Sequence, residues 1–225
     1  MRRHKLIQII KEEVQRVLSL EDSGILIPRR MEGRAEQTIQ NYIKNGCKGN
    51  LDLSDTQITE LPPNLKRVGG YARLSGSKIT KIPDNLEVLG DLRLDDTAIT
   101  EIPKGLVVGG DLVLAGSKIT KLPDDLQVGG GLWLNGTPIA KLPRGLIVGW
   151  NLSLSNTKIT KLPDDLQVGG SIWLDNTAIT ELPKRLKVGG GMSIGETPLS
   201  KKYSPDQIRK MIQDLGGTVR GRILI

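Results

Sequence analysis

The sequence predicts an α/β solenoid that has a single parallel sheet on its concave face, little helix within the repeats and helical caps at both ends. Two observations predict it. One is an aliphatic column with a period of 20 residues, formed by Leu74, Leu94, Leu114, Leu134, Leu154, Leu174 and Ile194. The other is the recurrence of a proline and a glycine pair in most units. A strict period indicates one supersecondary unit whose core forms only because stacked neighbours cover each other.

Each unit divides into a strand, a proline leg and a glycine turn. The alternation L-x-L predicts a short strand with both leucines facing the core, and eight such strands should stack from residues 51–53 to 192–194. The proline cannot lie in a central strand or inside a helix, so this leg should be extended or 3₁₀. Positive φ or close backbone approach should require glycine at Gly69-Gly70, Gly109-Gly110, Gly129-Gly130, Gly169-Gly170 and Gly189-Gly190.

The unit, as in residues 112–123, reads L-x-L-x-x-(T/S)-x-I-T-x-(L/I)-P and resembles the leucine-rich repeat (LRR) family, whose unit has L-x-L-x-x-N-x-L followed by an L-P turn. The resemblance covers residues 51–195 and implies that function lies on the concave strand face. This chain is a variant, because hydroxyl side chains replace the family's Asn. We expect them to satisfy the turn backbone more weakly. They are Thr56, Ser77, Thr97, Ser117, Thr137, Thr157, Thr177 and Thr197.

The ends of the chain are not repeats and should cap the open solenoid. Residues 34–45, between Gly33 and Gly46, predict a helix over the first strand. Ser204, Pro205 and Gln207 predict the capped start of a second helix, and residues 218–225 a last edge strand. The predicted organisation is an amphipathic helix at 1–20, a linker and N-terminal cap at 21–50, repeats at 51–195 and a C-terminal cap at 196–225.

The predicted helix at residues 1–20 has an apolar stripe, formed by Leu6, Ile7, Ile10, Val14, Val17 and Leu18. Such a helix on a loose tether is suited to docking on a partner or to self-association with another copy. The run Lys5 to Val14 weakly resembles the K-L-x-x-I-I-K-E-E-V leaders of proteins from large tailed marine phages. That resemblance implies a virion component or a factor that acts on the host.

Composition restricts the class of protein and its partners. The single Cys excludes an internal disulfide framework, and no run of about 18 apolar residues indicates a membrane span. Charges at Lys11, Glu12 and Glu13 do not fit a signal peptide, so we expect a cytoplasmic location, which would be the host cytoplasm or the virion for a phage protein. The net charge of +7 comes from the ends, because basic and acidic residues balance within residues 51–195, which disfavours nucleic acid as the partner.

Charges on the proline leg alternate in sign between neighbouring repeats, as at Lys104, Asp124-Asp125 and Arg144. Opposite charges should therefore face each other along the convex side. We interpret the alternation as a device that fixes the register of the repeats. The alternative is that it is solvated charge left by duplication of a 40-residue unit.

The outward column of the strands supplies the candidate partner-binding residues. Trp133 and Trp173 lie two strands apart, with Ser153 between them, and should flank a shallow gap. Trp150 replaces a turn glycine before the next strand. Exposed tryptophans are typical of binding hot spots. The predicted site residues are Trp133, Trp173, Trp150, Ser153, Arg73, Arg93 and Asp52.

No catalytic, cofactor-binding or metal-binding residues are predicted. His4 is the single histidine, so no histidine-based acid–base pair or triad can form, and the glycine pairs do not open helices as phosphate loops do. The sequence favours a non-enzymatic protein-binding or assembly module. The alternative is carbohydrate or surface-receptor binding through Trp133 and Trp173. Ice binding through the threonine column is disfavoured, because Ala140 interrupts that column.

Overall fold

The computed structural model of the protein describes residues 29–225, which form a parallel solenoid with one helix near each end. The two helices are α1 (Arg29–Lys44) and α2 (Pro205–Asp214). The helix predicted for residues 1–20 lies outside the described residues. Neither α1 nor α2 combines the length and the apolar character needed to cross a membrane. Little helix lies within the described repeats, as the sequence predicted.

The predicted parallel sheet is confirmed, and the C-terminal tail adds a ninth strand to it. Consecutive strands of this sheet pair with each other, and in most repeats the paired residues are 20 positions apart, as Leu92 and Leu112 are. The strands, in order, are β1 (Leu51–Asp52), β3 (Ala72–Arg73), β5 (Leu92–Arg93), β7 (Leu112–Val113), β9 (Leu132–Trp133), β11 (Leu152–Ser153), β13 (Ile172–Trp173), β15 (Met192–Ser193) and β17 (Ile223–Leu224).

A second parallel sheet of eight strands runs beside the first, where the sequence predicted a single sheet. Each strand is a dipeptide whose valine is buried and whose first residue faces outward, as in Gln167 and Val168. Its strands are β2 (Arg67–Val68), β4 (Glu87–Val88), β6 (Val107–Val108), β8 (Gln127–Val128), β10 (Ile147–Val148), β12 (Gln167–Val168), β14 (Lys187–Val188) and β16 (Thr218–Val219).

A three-residue glycine corner joins each strand of the second sheet to the next strand of the first sheet. The corner glycines do not have positive φ, so close backbone approach is the reason for glycine. A Cβ atom at Gly109 would collide with the carbonyl oxygen of Leu89, and one at Gly129 would collide with that of Gly109. Stacked corners are also hydrogen-bonded, since the Gly110 N–H donates to the Gly90 carbonyl at 3.0 Å.

The Thr and Ser residues that replace the family's Asn, here called the hydroxyl ladder, each lie near a strand carbonyl of the same repeat. The Thr97 hydroxyl donates to the Leu94 carbonyl at 2.6 Å, and Ser77, Thr137, Thr157 and Thr177 repeat this bond at the same distance. Among the buried side-chain nitrogen and oxygen atoms of residues 29–225, only the Ser117 hydroxyl oxygen has no hydrogen-bond partner. At the ladder positions other than Ser117, the hydroxyl therefore holds the strand end through a local bond.

The N-terminal cap, α1, begins at Arg29 and contains Gly33, which the sequence had placed before the helix. Ala35, Ile39 and Tyr42 are its buried residues, and they join the core of the solenoid. The Tyr42 hydroxyl lies 2.9 Å from the carbonyl oxygens of both Cys47 and Gly49, which share its single proton, and it accepts from the Gly69 N–H at 3.1 Å. The cap is thus bound to the first glycine corner.

The C-terminal cap has the predicted start. Ser204 is the N-cap of α2, Pro205 follows it, and the Ser204–Gln207 capping box is complete. Ile208 and Ile212 are buried against the solenoid. Beyond α2, the tail forms β16 and β17 and so extends both sheets by one strand, where the sequence predicted one edge strand.

Opposite charges of neighbouring repeats meet on the proline leg. Arg185 donates to Asp165 through Nη2 at 2.7 Å, and Lys161 Nζ lies 2.6 Å from Glu181. Hydrogen bonding by Arg185 lowers the pKa of Asp165, and the bond to Glu181 raises the pKa of Lys161. Exposed pairs of this kind contribute at most about 1 kcal/mol each. Their role in fixing register stays a prediction.

Candidate partner-binding face

We call the outward side of the nine-stranded sheet the first-sheet face. It carries the outward strand residues, together with the residues two positions before and after each of them. The predicted outward column is confirmed by burial, because the first residue of each strand is buried and the second is more exposed, except at Ser153. The column runs Asp52, Arg73, Arg93, Val113, Trp133, Ser153, Trp173, Ser193 and Leu224.

Trp133 and Trp173 are stacked on each other. Their ring centroids are 5.8 Å apart with an interplanar angle of 22°, although the two strands are separated by about 10 Å. Ser153 is only 6% exposed. The rings therefore lean together above this small residue, and the shallow gap predicted between them is closed. The structure presents a half-exposed aromatic platform in its place.

Asp111 fixes the orientation of Trp133. Its Oδ2 accepts the Trp133 indole N–H at 3.1 Å, and its Oδ1 accepts the Gly131 backbone N–H at 2.6 Å. The sequence did not single out Asp111 as a site residue. A pattern pointed to it, since Asp91, Asp111 and Asn151 share the position just before a strand and each accepts the backbone N–H of the next repeat.

Asp175 lies on the strand of Trp173, two residues further along the chain. It accepts the Ser193 hydroxyl at 2.5 Å, the Gly195 N–H at 2.8 Å and the Ser155 hydroxyl at 3.3 Å. Both carboxylates near the tryptophan pair are therefore held by hydrogen bonds. All of these donors are neutral, so they position the carboxylates and leave their negative charge uncompensated.

The other end of the first-sheet face carries the three predicted charged site residues. Arg73 Nη1 lies 3.3 Å from Asp52 Oδ2, and its guanidinium lies 5.2 Å from the centre of the Tyr71 ring. Burial acts to raise the pKa of Asp52, but hydrogen bonds from Ser54 and the charge of Arg73 lower it overall. Arg93 is exposed. These residues lie two or more strands from Trp133 and do not join the tryptophan pair.

Trp150 does not belong to the outward column. It lies at a glycine corner and is 67% exposed, close in sequence to Ile147, which is 59% exposed on the second sheet. At the equivalent corner position, a Cβ on Gly130 would stand 2.5 Å from Asp111 Oδ1. For Trp150, the position equivalent to Asp111 is occupied by Gly131. No side chain at that position therefore collides with the tryptophan. The three tryptophans therefore form a pair and a separate residue.

Titratable side chains do not gather into a metal-binding group within residues 29–225. No three His, Cys, Asp or Glu side chains in that range lie close enough together to hold a metal ion. The carboxylates of the first-sheet face instead accept hydrogen bonds from backbone and hydroxyl groups of neighbouring repeats.

Comparison with known proteins agrees with the repeat architecture. No family model matches the chain. A stretch of 66 residues, 28% of this chain, is 39% identical to leucine-rich repeat-containing G-protein coupled receptor 5A of Xenopus laevis. The match spans 7% of the length of that receptor.

Three findings now agree: the L-x-L unit of 20 residues, the parallel solenoid that it forms, and the similarity to a leucine-rich repeat receptor. Solenoids of this kind are generally protein-binding scaffolds. Together these findings fit a leucine-rich repeat protein, of a variant that carries hydroxyl residues in place of the ladder asparagine.

Proposed function

We propose that this chain is a non-enzymatic protein-binding module that recognises its partner through the first-sheet face, with Trp133 and Trp173 at the centre of the contact. The observation that carries the proposal is the stacked and partly exposed pair of rings on a face whose other residues are mostly polar or small. Tryptophan is enriched among the residues that dominate the energy of protein interfaces.

Pre-organisation supports this assignment. Trp133 is restrained by its hydrogen bond to Asp111 and by its stacking on Trp173. A partner would therefore bind rings that have already lost much of their rotamer freedom, and the entropy cost of ordering them on binding would be small. The backbone beneath the rings is equally fixed in shape, because strands β9 and β13 are each paired on both sides.

The role of the carboxylates supports a non-enzymatic function. Asp111 and Asp175 each accept bonds from backbone and side-chain donors of neighbouring repeats. They act as structural acceptors in this arrangement. Across the described part of the face, no histidine, cysteine or lysine lies in the outward columns beside them to form an acid–base pair.

Capture from lysate of the source cells tests the proposal. The immobilised full chain is compared with the Trp133→Ala/Trp173→Ala double variant and with Trp150→Ala, which removes an exposed tryptophan outside the column. We expect one protein to be retained by the full chain and by Trp150→Ala, and to fall at least about tenfold with the double variant. Equal retention by all three chains would contradict the assigned surface.

A carbohydrate ligand is the second candidate, because an exposed aromatic platform beside carboxylates also suits the faces and hydroxyls of a sugar. The closed gap disfavours it, since a sugar could stack on an outer ring face but could not insert between the rings. A glycan array, followed by saccharide titration of tryptophan fluorescence, tests it. A glycan bound by the full chain and lost in the Trp133→Ala/Trp173→Ala variant would favour this candidate.

A role in a tailed phage is the more specific form of the assembly proposal. It is supported by the resemblance of the run from Lys5 to Val14 to phage leaders, in a segment outside the described residues. Detection of the chain in purified virions by mass spectrometry would support a structural role. Detection only in the cytoplasm of infected cells would support a factor that acts on the host.

A further inference from the structure

We propose that the partner presents a cationic side chain, from arginine or lysine, to the Trp133–Trp173 pair, and that Asp111 and Asp175 attract it there. This inference rests on the proposed protein-binding function and adds the chemistry of the partner. It is argued from the charge of the first-sheet face, from the electronics of the tryptophan rings and from the hydrogen bonding of Asp111 and Asp175.

The first-sheet face has the opposite sign of charge from the chain. The whole chain has a net charge of +7. From β1 to β17, the outward columns carry five carboxylates and three guanidiniums, which are Asp52, Asp91, Asp95, Asp111, Asp175, Arg73, Arg93 and Arg222. Arg73 is already paired with Asp52. The face is therefore acidic on a basic protein, and it is complementary to a basic partner.

Around the tryptophan pair the charge is entirely negative. From β7 to β15, Asp111 and Asp175 are the only charged residues in the outward columns, and the others are small, polar, aromatic or, at Val113, aliphatic. The nearest cations of the face are Arg93, two strands from Trp133, and Arg222, two strands from Trp173, each a separation of about 10 Å. A cation that stacks on the pair would therefore meet two carboxylates and no adjacent positive charge.

The ring electronics favour the same ligand. Tryptophan is the best aromatic partner for a cation, which binds over the ring face within about 6 Å of its centroid. Asp111 accepts the indole N–H of Trp133, and this bond polarises the ring toward greater electron density. The carboxylate and the ring thus attract a cation together.

The carboxylates also keep capacity for a further bond. Asp111 is bound by an amide and an indole N–H, and Asp175 by two hydroxyls and an amide, all of them neutral donors. A carboxylate has about four acceptor positions, so each can still accept from a guanidinium or an ammonium group. The same two carboxylates would repel an anionic partner.

Indole N–H resonances of the ¹⁵N-labelled full chain test the inference, because the chain has three tryptophans and gives three such signals. Single Trp→Phe variants assign them. Hexa-arginine and hexa-lysine peptides serve as cationic probes and hexa-glutamate as the anionic probe. We expect the cationic peptides to shift the Trp133 and Trp173 signals, with weaker binding as salt is raised, and to leave Trp150 unchanged. Hexa-glutamate should shift none of them.

Isosteric variants separate charge from structure. Asp175→Asn keeps an oxygen for the Gly195 N–H and the Ser193 hydroxyl, and its amide can donate to the Ser155 hydroxyl, so it removes charge with little change of shape. Asp111→Asn keeps an acceptor for the Gly131 N–H, as Asn151 does for Ser171, but gives up the bond to the indole N–H. We expect the double variant to bind hexa-arginine at least about tenfold more weakly, and the control Asp124→Asn, on the proline leg, to bind as the parent does. Unchanged affinity of the double variant, or equal shifts with hexa-glutamate, would overturn the inference.

The two proposals fail in distinguishable ways. If the Trp133→Ala/Trp173→Ala variant loses its captured protein but cationic peptides do not shift the two indole signals, the cationic chemistry is wrong and the binding face stands. If capture is unaffected by that variant, the face itself is wrong, whatever the peptides do.

Discussion

Gly149 lies against the carbonyl oxygen of Gly129, so closely that a Cβ atom at Gly149 would collide with it. The same contact recurs between Gly169 and Gly149, and between Gly189 and Gly169. The glycine corners are therefore a backbone-on-backbone stack. Their residue type is dictated by the spacing of the repeats and not by an unusual φ.

The contact predicts that Gly149→Ala destabilises the fold by about 1–3 kcal/mol, because the repeats must separate to admit the methyl group. Gly33→Ala is the matched control. Nothing lies within 4 Å of a Cβ at Gly33, which is inside α1, so alanine there should stabilise by about 0.5–1 kcal/mol. Urea unfolding measures both. An unchanged free energy of unfolding for Gly149→Ala would contradict the steric account.

The hydroxyl ladder offers a test in which the chemical change is identical at two sites. Ser77 and Ser117 are both buried, but only Ser77 donates a hydrogen bond, to the Leu74 carbonyl at 2.6 Å. Ser77→Ala should cost about 1 kcal/mol, whereas Ser117→Ala should be neutral or stabilising, since it removes a buried hydroxyl without a partner. Thermal unfolding of the two variants checks this. Equal losses would show that the bond to Leu74 contributes nothing.

The repeat, the first sheet and the C-terminal cap were predictable because their signals are periodic or local. The 20-residue column fixes the strands, and Ser204 with Gln207 fixes a helix start within four residues. The second sheet was missed because its strands are two residues long, too short for any alternation to identify them. The start of α1 was misplaced because Gly33 was treated as a helix boundary, although an exposed helix position tolerates glycine at modest cost.

The candidate site was predictable in position and not in geometry. Strand alternation places Trp133, Ser153 and Trp173 on one face, as found. Their stacking depends on side-chain rotamers, which the spacing of strands does not determine, and so the predicted gap is closed. The bond from Trp133 to Asp111 joins residues that are 22 positions apart, so it follows from the register of neighbouring repeats.

Tyr42 gives a prediction for the N-terminal cap. Tyr42→Phe removes the hydroxyl that lies 2.9 Å from the carbonyl oxygens of Cys47 and Gly49 and accepts from Gly69. We expect a loss of about 1–2 kcal/mol and earlier hydrogen exchange in α1, because the helix loses its polar link to the first corner. Tyr203→Phe is the control, since its hydroxyl has no hydrogen bond within residues 29–225 and its removal should be nearly neutral. Similar losses for both variants would argue against the link.

Asp165 and Arg185 give a prediction of pH dependence. The bidentate hydrogen bonds from Arg185 lower the pKa of Asp165 in the folded protein. A depressed carboxyl pKa contributes stability above its unfolded value, which is about 3.9, and this contribution is lost as the pH falls through the lower folded value. Since both groups are exposed, the effect on unfolding is small, and the titration itself is the better measurement.

We therefore expect Arg185→Gln to raise the pKa of Asp165 towards its ordinary value, as followed by the side-chain ¹³C carboxyl resonance from pH 7 to pH 2. Arg67→Gln serves as the control, because it breaks a similar exposed ion pair with Glu87 on strands β2 and β4, several repeats from Asp165. That variant should leave the Asp165 titration unchanged. A titration of Asp165 that is insensitive to Arg185→Gln would mean that the pair does not persist in solution. The charge alternation along the proline leg could then not hold the register of the repeats through such contacts.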